Sequence, residues 1–190
     1  MVKKSSILLA LKRLMQEHSI ASIYPSINYP DKCSVGFIEG ISSEHIIMKH
    51  ISRNGFYDGY VIRRIDDIFR VDFGGQYEKK ILTLYTAQNQ KHDSLIDVEI
   101  NEETDILKEC LMSSMKKNYV VSLFIDETEN EEYFYGWVKD VSHEEVIISR
   151  ISSEGEDDGT AIIKACEITA LNCDTDDEIV LKILNITQIQ

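Results

Sequence analysis

The sequence predicts a mainly β protein with helices: two tandem small β-barrels, each preceded by an N-terminal α-helix. Three observations predict it. The chain repeats itself at a fixed distance of 100 residues. Each copy opens on an apolar pattern of helical period. Short apolar runs separated by turn residues then follow in the same order in both copies.

The repeat is read without a gap. G-F-Y-D-G-Y-V-I-R-R-I-D-D-I at 55–68 returns as G-E-D-D-G-T-A-I-I-K-A-C-E-I at 155–168. Gly36, Ser42, Glu44, Ile47, Ile51, Ser52, Gly55, Asp58, Gly59, Ile62 and Ile68 each meet an identical residue 100 positions later. Chance would supply about two such matches in that window. Type is kept where identity is not: Phe37/Trp137, Ile38/Val138, Ile41/Val141, Ile46/Val146. With two copies only, tandem domains are expected, and not a solenoid.

In the first copy, Ile7, Leu8, Leu11, Leu14 and Met15 recur at helical spacing, with Lys12, Arg13 and Glu17 facing out. In the second, Leu107, Cys110, Leu111 and Met115 do the same. There Asn101 is the expected cap, Glu102, Glu103 and Asp105 suit the positive helix end, and Lys116 and Lys117 suit the other. Strands are then expected at 19–24, 33–41, 44–52, 60–65 and 67–73, and at 119–124, 133–141, 144–152, 160–165 and 167–172. Asp58-Gly59 and Asp158-Gly159 read as turns into the fourth strand. EIVLKILNI (178–186) reads as a further strand, whereas YEKKILTLY (77–85) fits a strand or a short helix. Five short strands in so few residues call for closure, since open edges invite aggregation. The first repeat is placed at 1–88 and the second at 99–190, with a polar linker near 87–100 that contains AQNQKHDS. Both prolines lie in one loop of the first copy; the matching loop of the second is the acidic DETENEE (126–132).

Composition sets the class. Of 190 residues, 43% are apolar and 28% charged, a globular balance. No run is long and apolar enough for a membrane span. The basic, then apolar, start is interrupted by Lys12, Arg13 and Glu17, which argues for an amphipathic helix in a cytoplasmic protein and against a signal peptide. Cys33, Cys110, Cys166 and Cys173 form no C-x-x-C pair, so buried free thiols are expected, and neither a zinc site nor a disulfide framework. The net charge of −13 is uneven. Residues 1–90 hold 12 Lys+Arg against 9 Asp+Glu, a balance of +3; residues 91–190 hold 8 against 24, a balance of −16.

A helix followed by five bent strands resembles the Sm/LSm-like fold, an SH3-like barrel. G-F-I-E-G-I (36–41) and G-W-V-K-D-V (136–141) are similar to the first Sm motif, and V-I-R-R-I-D-D-I (61–68) to the second. The pattern also resembles small bacterial proteins that have no assigned function. The resemblance implies the fold, and ring assembly as one outcome. It does not carry over the uracil pocket of RNA-binding members. Their Asp and Asn after the first motif fall on Ser42 and Ile46, and on Ser142 and Val146. The glycine of the second motif falls on Arg64, and in the second copy Ile163-Lys164 replaces the Arg-Gly step.

Two surfaces are candidates for binding. Lys49, His50, Arg53, Arg63, Arg64 and Arg70, interleaved with Phe56, Tyr57 and Tyr60, form a basic, aromatic set of the kind that holds phosphates and stacks bases. The overall acidity opposes nucleic acid, whose affinity rests on phosphate neutralisation. The second copy carries Glu154, Glu156, Asp157, Asp158, Asp174, Asp176, Asp177 and Glu178, which suit solvated turns or a basic partner better than calcium, because the EF-hand glycine and terminal glutamate are missing. Cys33 with one of His18, His45, His50, His92 or His143 is conceivable as nucleophile and base, but no motif supports it. No catalytic, cofactor or metal residues are assigned. The expected function is a non-enzymatic binding or scaffold module acting through a protein partner or self-association, without DNA or membrane. The alternatives are RNA binding by the first repeat, or an acidic inhibitor or immunity-type protein.

Overall fold

The computed structural model describes residues 5–125 and 133–188. The acidic stretch 126–132 and the first four residues lie outside the described residues. The chain divides into two compact units. Residues up to Ser94 with Glu99–Ile106 form the first, and Leu95–Val98 with Leu107 onward form the second. The boundary is therefore not a plain linker at 87–100.

The first unit runs α1 (Ser6–Gln16), β1 (Ile20–Tyr24), β2 (Ser34–Ile41), β3 (His45–Ile51), β4 (Tyr57–Arg64), a single 3-10 turn (Ile65–Asp67), β5 (Arg70–Phe73) and α2 (Gln76–Gln88). The second repeats it: α3 (Ile106–Lys117), β6 (Val120–Ile125), β7 (Tyr133–Val141), β8 (Glu145–Ile151), β9 (Asp157–Lys164), a 3-10 turn (Ala165–Glu167), β10 (Ile168–Cys173) and α4 (Asp176–Gln188). Every pairing within a unit is antiparallel, in the order β5-β1-β2-β3-β4 and β10-β6-β7-β8-β9.

The expected barrel does not close. Within each unit the first and last strands of that order are not paired to each other. Helices supply the cover instead, one on each face of the first sheet. Alternate residues of a strand point to opposite faces. Thus Ala21 and Ile23 pack with Leu11 and Leu14 of α1, while Ile20 packs with Ile81 and Tyr85 of α2. In the second unit Val120 and Ile151 pack with Leu181 of α4.

The second C-terminal helix corrects the sequence reading: EIVLKILNI lies in α4 and is not a strand. YEKKILTLY, open between strand and short helix, lies in α2. Each is fastened by a buried carboxylate. Glu78 accepts from Ser22 Oγ of β1 at 2.6 Å and from the Gly75 N–H at 3.1 Å, the start of its own helix. Glu178 accepts from Ser122 Oγ of β6, and from the Thr175 N–H at 2.9 Å. Burial pushes the Glu178 carboxyl up, above the ordinary 4.5.

Three further expectations are corrected. Asn101 does not cap α3; its Oδ1 accepts from the Glu103 N–H at 2.9 Å in a turn ahead of the helix. Met115 is exposed and Ser114 is buried in its stead. Asp58-Gly59 is not the turn either. The turn is Ser52–Phe56, closed by Ser52 N–H to Phe56 O at 2.8 Å. Asp58 and Gly59 lie within β4, where the register slips between the pairs Lys49/Tyr60 and Ile51/Tyr57. They form a β-bulge with Gly59 at φ +68°. Asp158-Gly159 does the same in β9, opposite Arg150. The other repeated glycine makes the turn possible and seats the helix. Gly55 and Gly155 have φ +80° and +84°, and a Cβ there would lie 2.4 Å from Leu84 Cβ or Leu184 Cβ.

Among the described residues no helix is long and apolar enough to cross a membrane. Cys110 and Cys173 are buried free thiols as expected; Cys33 is half-buried and Cys166 is exposed.

Gly155→Ala is expected to cost about 2 kcal/mol, from left-handed strain together with the clash on α4, read as a lowered urea midpoint. Gly159→Ala carries the strain alone and costs less, about 1 kcal/mol. A second expectation concerns pH. Glu178 holds a proton in the folded state that the unfolded chain has released, so its contribution to stability falls as pH rises from the ordinary carboxyl value through the raised one. Glu178→Gln cannot titrate. Its urea midpoint relative to the parent should therefore improve as the pH rises from the ordinary carboxyl value through the raised one. A pH-independent difference would contradict this.

Candidate functional site: a groove and a helix face in the second repeat

The basic residues of the first repeat are placed first. Lys49 Nζ lies 2.8 Å from Glu39, His50 Nδ1 3.0 Å from Asp58, and Arg64 Nε 3.7 Å from Asp67. Arg70 donates from Nε to Asp72 at 2.9 Å and lies over the Tyr24 ring, 4.4 Å from its centroid. That donation holds the Asp72 carboxyl below its usual range. Arg63 donates to Ile62 O at 2.9 Å and to Ser34 Oγ at 3.2 Å. Tyr60 is buried and its hydroxyl donates to Asp93 O at 2.7 Å. Arg53 is exposed in the β3–β4 turn. Lys49, His50, Tyr60, Arg63 and Arg64 thus share two paired strands, while Arg70 sits on β5, at the other end of that sheet.

Cys33 is acted on by burial, then by Tyr24, Glu78, Asp72 and Ser22, and its thiol is pushed up rather than made a thiolate. Among the described residues no three His, Cys, Asp or Glu side chains converge as a metal cage. The acidic residues of the second repeat have separate places. Glu178 is the buried helix anchor, Asp176 and Asp177 occupy the first turn of α4, and Asp158 pairs with Arg150 at 2.5 Å across the bulge.

Glu156 and Asp157 lead to a feature that sequence reasoning missed. They line a groove of about 870 Å³ within the second unit, between α4, the end of α3 and β7–β8. Trp137 lies along it and donates from Nε1 to Asn185 Oδ1 at 3.0 Å. Asn185 in turn donates to Gly155 O at 2.9 Å, which ties α4 to the β8–β9 turn. Lys182 donates to Asn118 O at 2.6 Å and lies 5.6 Å from the Tyr119 ring centroid. Tyr119 and Trp137 give the groove its aromatic surface, and charged residues of both signs line it: Lys139, Arg150 and Lys182 with Glu156 and Asp157.

The outer face of α4 is the second feature. Glu178, Leu181 and Asn185 are the buried residues, so the helix turns aliphatic side chains outward. Where α2 shows solvent Lys79, Lys80, Thr83 and Thr86, α4 shows exposed Ile179, Val180, Ile183 and Ile186. Ile183 is 59% exposed. The edge strand β9 adds to this: Ile162 is 64% exposed, whereas its counterpart Ile62 is fully buried. Extending the 100-residue comparison to the C-terminal segment would have found these substitutions.

No known protein family, curated protein or solved structure matches the chain.

Arg63→Ala should cost about 1 kcal/mol through loss of the bonds to Ile62 O and Ser34 Oγ, read by urea unfolding. Arg53→Ala should leave the midpoint unchanged.

Proposed function

We propose that this chain is a non-enzymatic binding and scaffold module built from two Sm-like, SH3-like repeats, and that it acts through protein contacts made by the second repeat. A helix followed by five bent strands, present twice, supports the Sm-like reading; the C-terminal helices and the open sheets depart from it. The observation that carries the functional reading is the outer face of α4. Contiguous aliphatic side chains on a solvent-facing helix mark an interaction surface. The first repeat acts as an internal control, since the same positions on α2 are polar. The occupant is a second copy of the chain. A face made of uncharged side chains can pack on its own symmetry mate without opposing like charges, which matters for a protein of net charge −13. Unpaired thiols fit a reducing, cytoplasmic setting.

RNA binding by the first repeat is the weaker reading. Lys49, His50, Arg64 and Arg70 would each have to exchange an intramolecular carboxylate for a phosphate.

Light scattering across a concentration series tests the proposal. The parent should rise from monomer mass to dimer mass, and Val180→Lys/Ile183→Lys should remain monomeric with an unchanged circular dichroism spectrum. A parent that stays monomeric throughout would refute self-association.

A further inference from the structure

The two repeats furnish the same groove position with different side chains. In the first, Tyr85 of α2 packs on Phe37 with ring centroids 5.4 Å apart. The chain then returns over the β3–β4 turn, where the His92 ring stacks on Tyr57 at 3.8 Å and Asp93 O accepts from Tyr60. Lys49, the residue opposite Phe37 on β3, closes an ion pair with Glu39 at 2.8 Å. In the second repeat Phe37 has become Trp137 and Tyr85 the shorter Asn185. Glu39 has become Lys139, Lys49 has become Ser149, and Leu82 has become Lys182. An ion pair is thus replaced by a lysine beside a serine, and a second lysine arrives on the helix.

Strand register places the charges along the groove. Trp137 lies opposite Ser149. Lys139 is the extra residue between the pairs Val138/Ile148 and Asp140/Ile147, on the side of Trp137 away from the β8–β9 turn. Lys182 Nζ donates to Asn118 O at 2.6 Å and lies 5.9 Å from the Trp137 ring centroid. A carbonyl and a ring position that charge without cancelling it. The carboxylates belong to the turn. The Ser152 N–H donates to Glu156 O there, and Asp157 Oδ1 accepts from the Gly159 N–H at 3.1 Å. Asn185 stands between Trp137 and the turn, bonded to Trp137 Nε1 and to Gly155 O. Arg150 is spent on Asp158 and lies over the Phe134 ring, 5.2 Å from its centroid.

We propose that the Trp137 end of the groove binds a small aromatic carboxylate. Its ring packs on Trp137, in the room that Tyr85 fills in the first repeat, and its carboxylate is met by Lys139 and Lys182. The groove volume of about 870 Å³ falls within the range of roughly 300–1,000 Å³ that small-molecule sites occupy. Ring packing supplies affinity. The two ammonium groups supply the choice of charge, because charge-assisted hydrogen bonds are the stronger ones. The site goes beyond the protein contacts of the outer α4 face and does not depend on them.

Trp137 is the chain's only tryptophan, so its fluorescence reports the site directly. The probes are phenylbutyrate, phenylbutanol and phenylbutylamine, which share an apolar body and differ in charge. Each is titrated into the full chain, with excitation that phenyl rings do not absorb. The butyrate should give a saturable change in emission, at least about tenfold tighter than the alcohol, with the amine weakest. Lys139→Glu/Lys182→Leu installs the residues that the first repeat carries at these positions. It should abolish the preference for the carboxylate, with unchanged circular dichroism. Lys139→Glu alone, at an exposed strand position, should lower the preference by about threefold or more, and decides the matter if the double variant unfolds. No saturable change with the butyrate, equal affinity for the three probes, or an undiminished preference in the Lys139 variants would each overturn the proposal.

Discussion

A carboxylate buried between the start of a helix and the first strand of a sheet governs both repeats. Glu78 joins Ser22 to the Gly75 N–H, and Glu178 joins Ser122 to the Thr175 N–H. A buried carboxylate is tolerated only when its oxygens find donors, and here both do. The anchor also sets the rotation of the helix. With residue 78 or 178 facing the sheet, helical geometry brings 81 and 85, or 181 and 185, to the same side. Positions 79, 80, 83 and 86, and their counterparts, must then face solvent. The apolar exterior of α4 follows from that rotation, as does the placement of Lys182, Asn185 and Ile186 along the groove.

The duplication lets each half interpret the other. The turn glycines, the bulge and the anchoring pair recur because they build the frame. Cation and carboxylate even recur across the bulge, as His50–Asp58 in one half and Arg150–Asp158 in the other. What diverges lies on the outside. In the first repeat, Tyr57, Tyr60 and Tyr85 are consumed by packing and by the returning segment at 90–93. In the second, the matching positions are Asp157, Thr160 and Asn185, and the groove stays open. The basic residues that first draw attention in the sequence are largely spent on neighbouring carboxylates.

Strand positions and opening helices were legible because their apolar periods are clean. Leu11 and Leu14 are buried where helical spacing puts them, and the strand 133–141 is observed at those bounds. The C-terminal helix was misread for a physical reason. In EIVLKILNI the inward residues include Glu and Asn, and the outward ones include Ile and Val, so the polar and apolar pattern is inverted and hides the helical period. Asp58-Gly59 was read as a turn because a bulge and a turn ask the same of glycine, a positive φ. Barrel closure was expected because open edges invite aggregation; within each unit the end strands stay unpaired to each other, and helices cover the faces. Ser22/Ser122 and Glu78/Glu178 were visible as identities at the 100-residue spacing, but outside the window where matches crowd.

The rotation of α4 is the claim on which the rest turns, and it can be measured on side-chain methyls. A soluble paramagnetic agent added to dilute, methyl-labelled protein relaxes only what solvent reaches. The Ile183 and Val180 methyls should relax strongly while those of Leu181 stay protected. Protected Ile183 with exposed Leu181 would mean that the helix is turned the other way, and would contradict the anchor, the exposed face and the groove together.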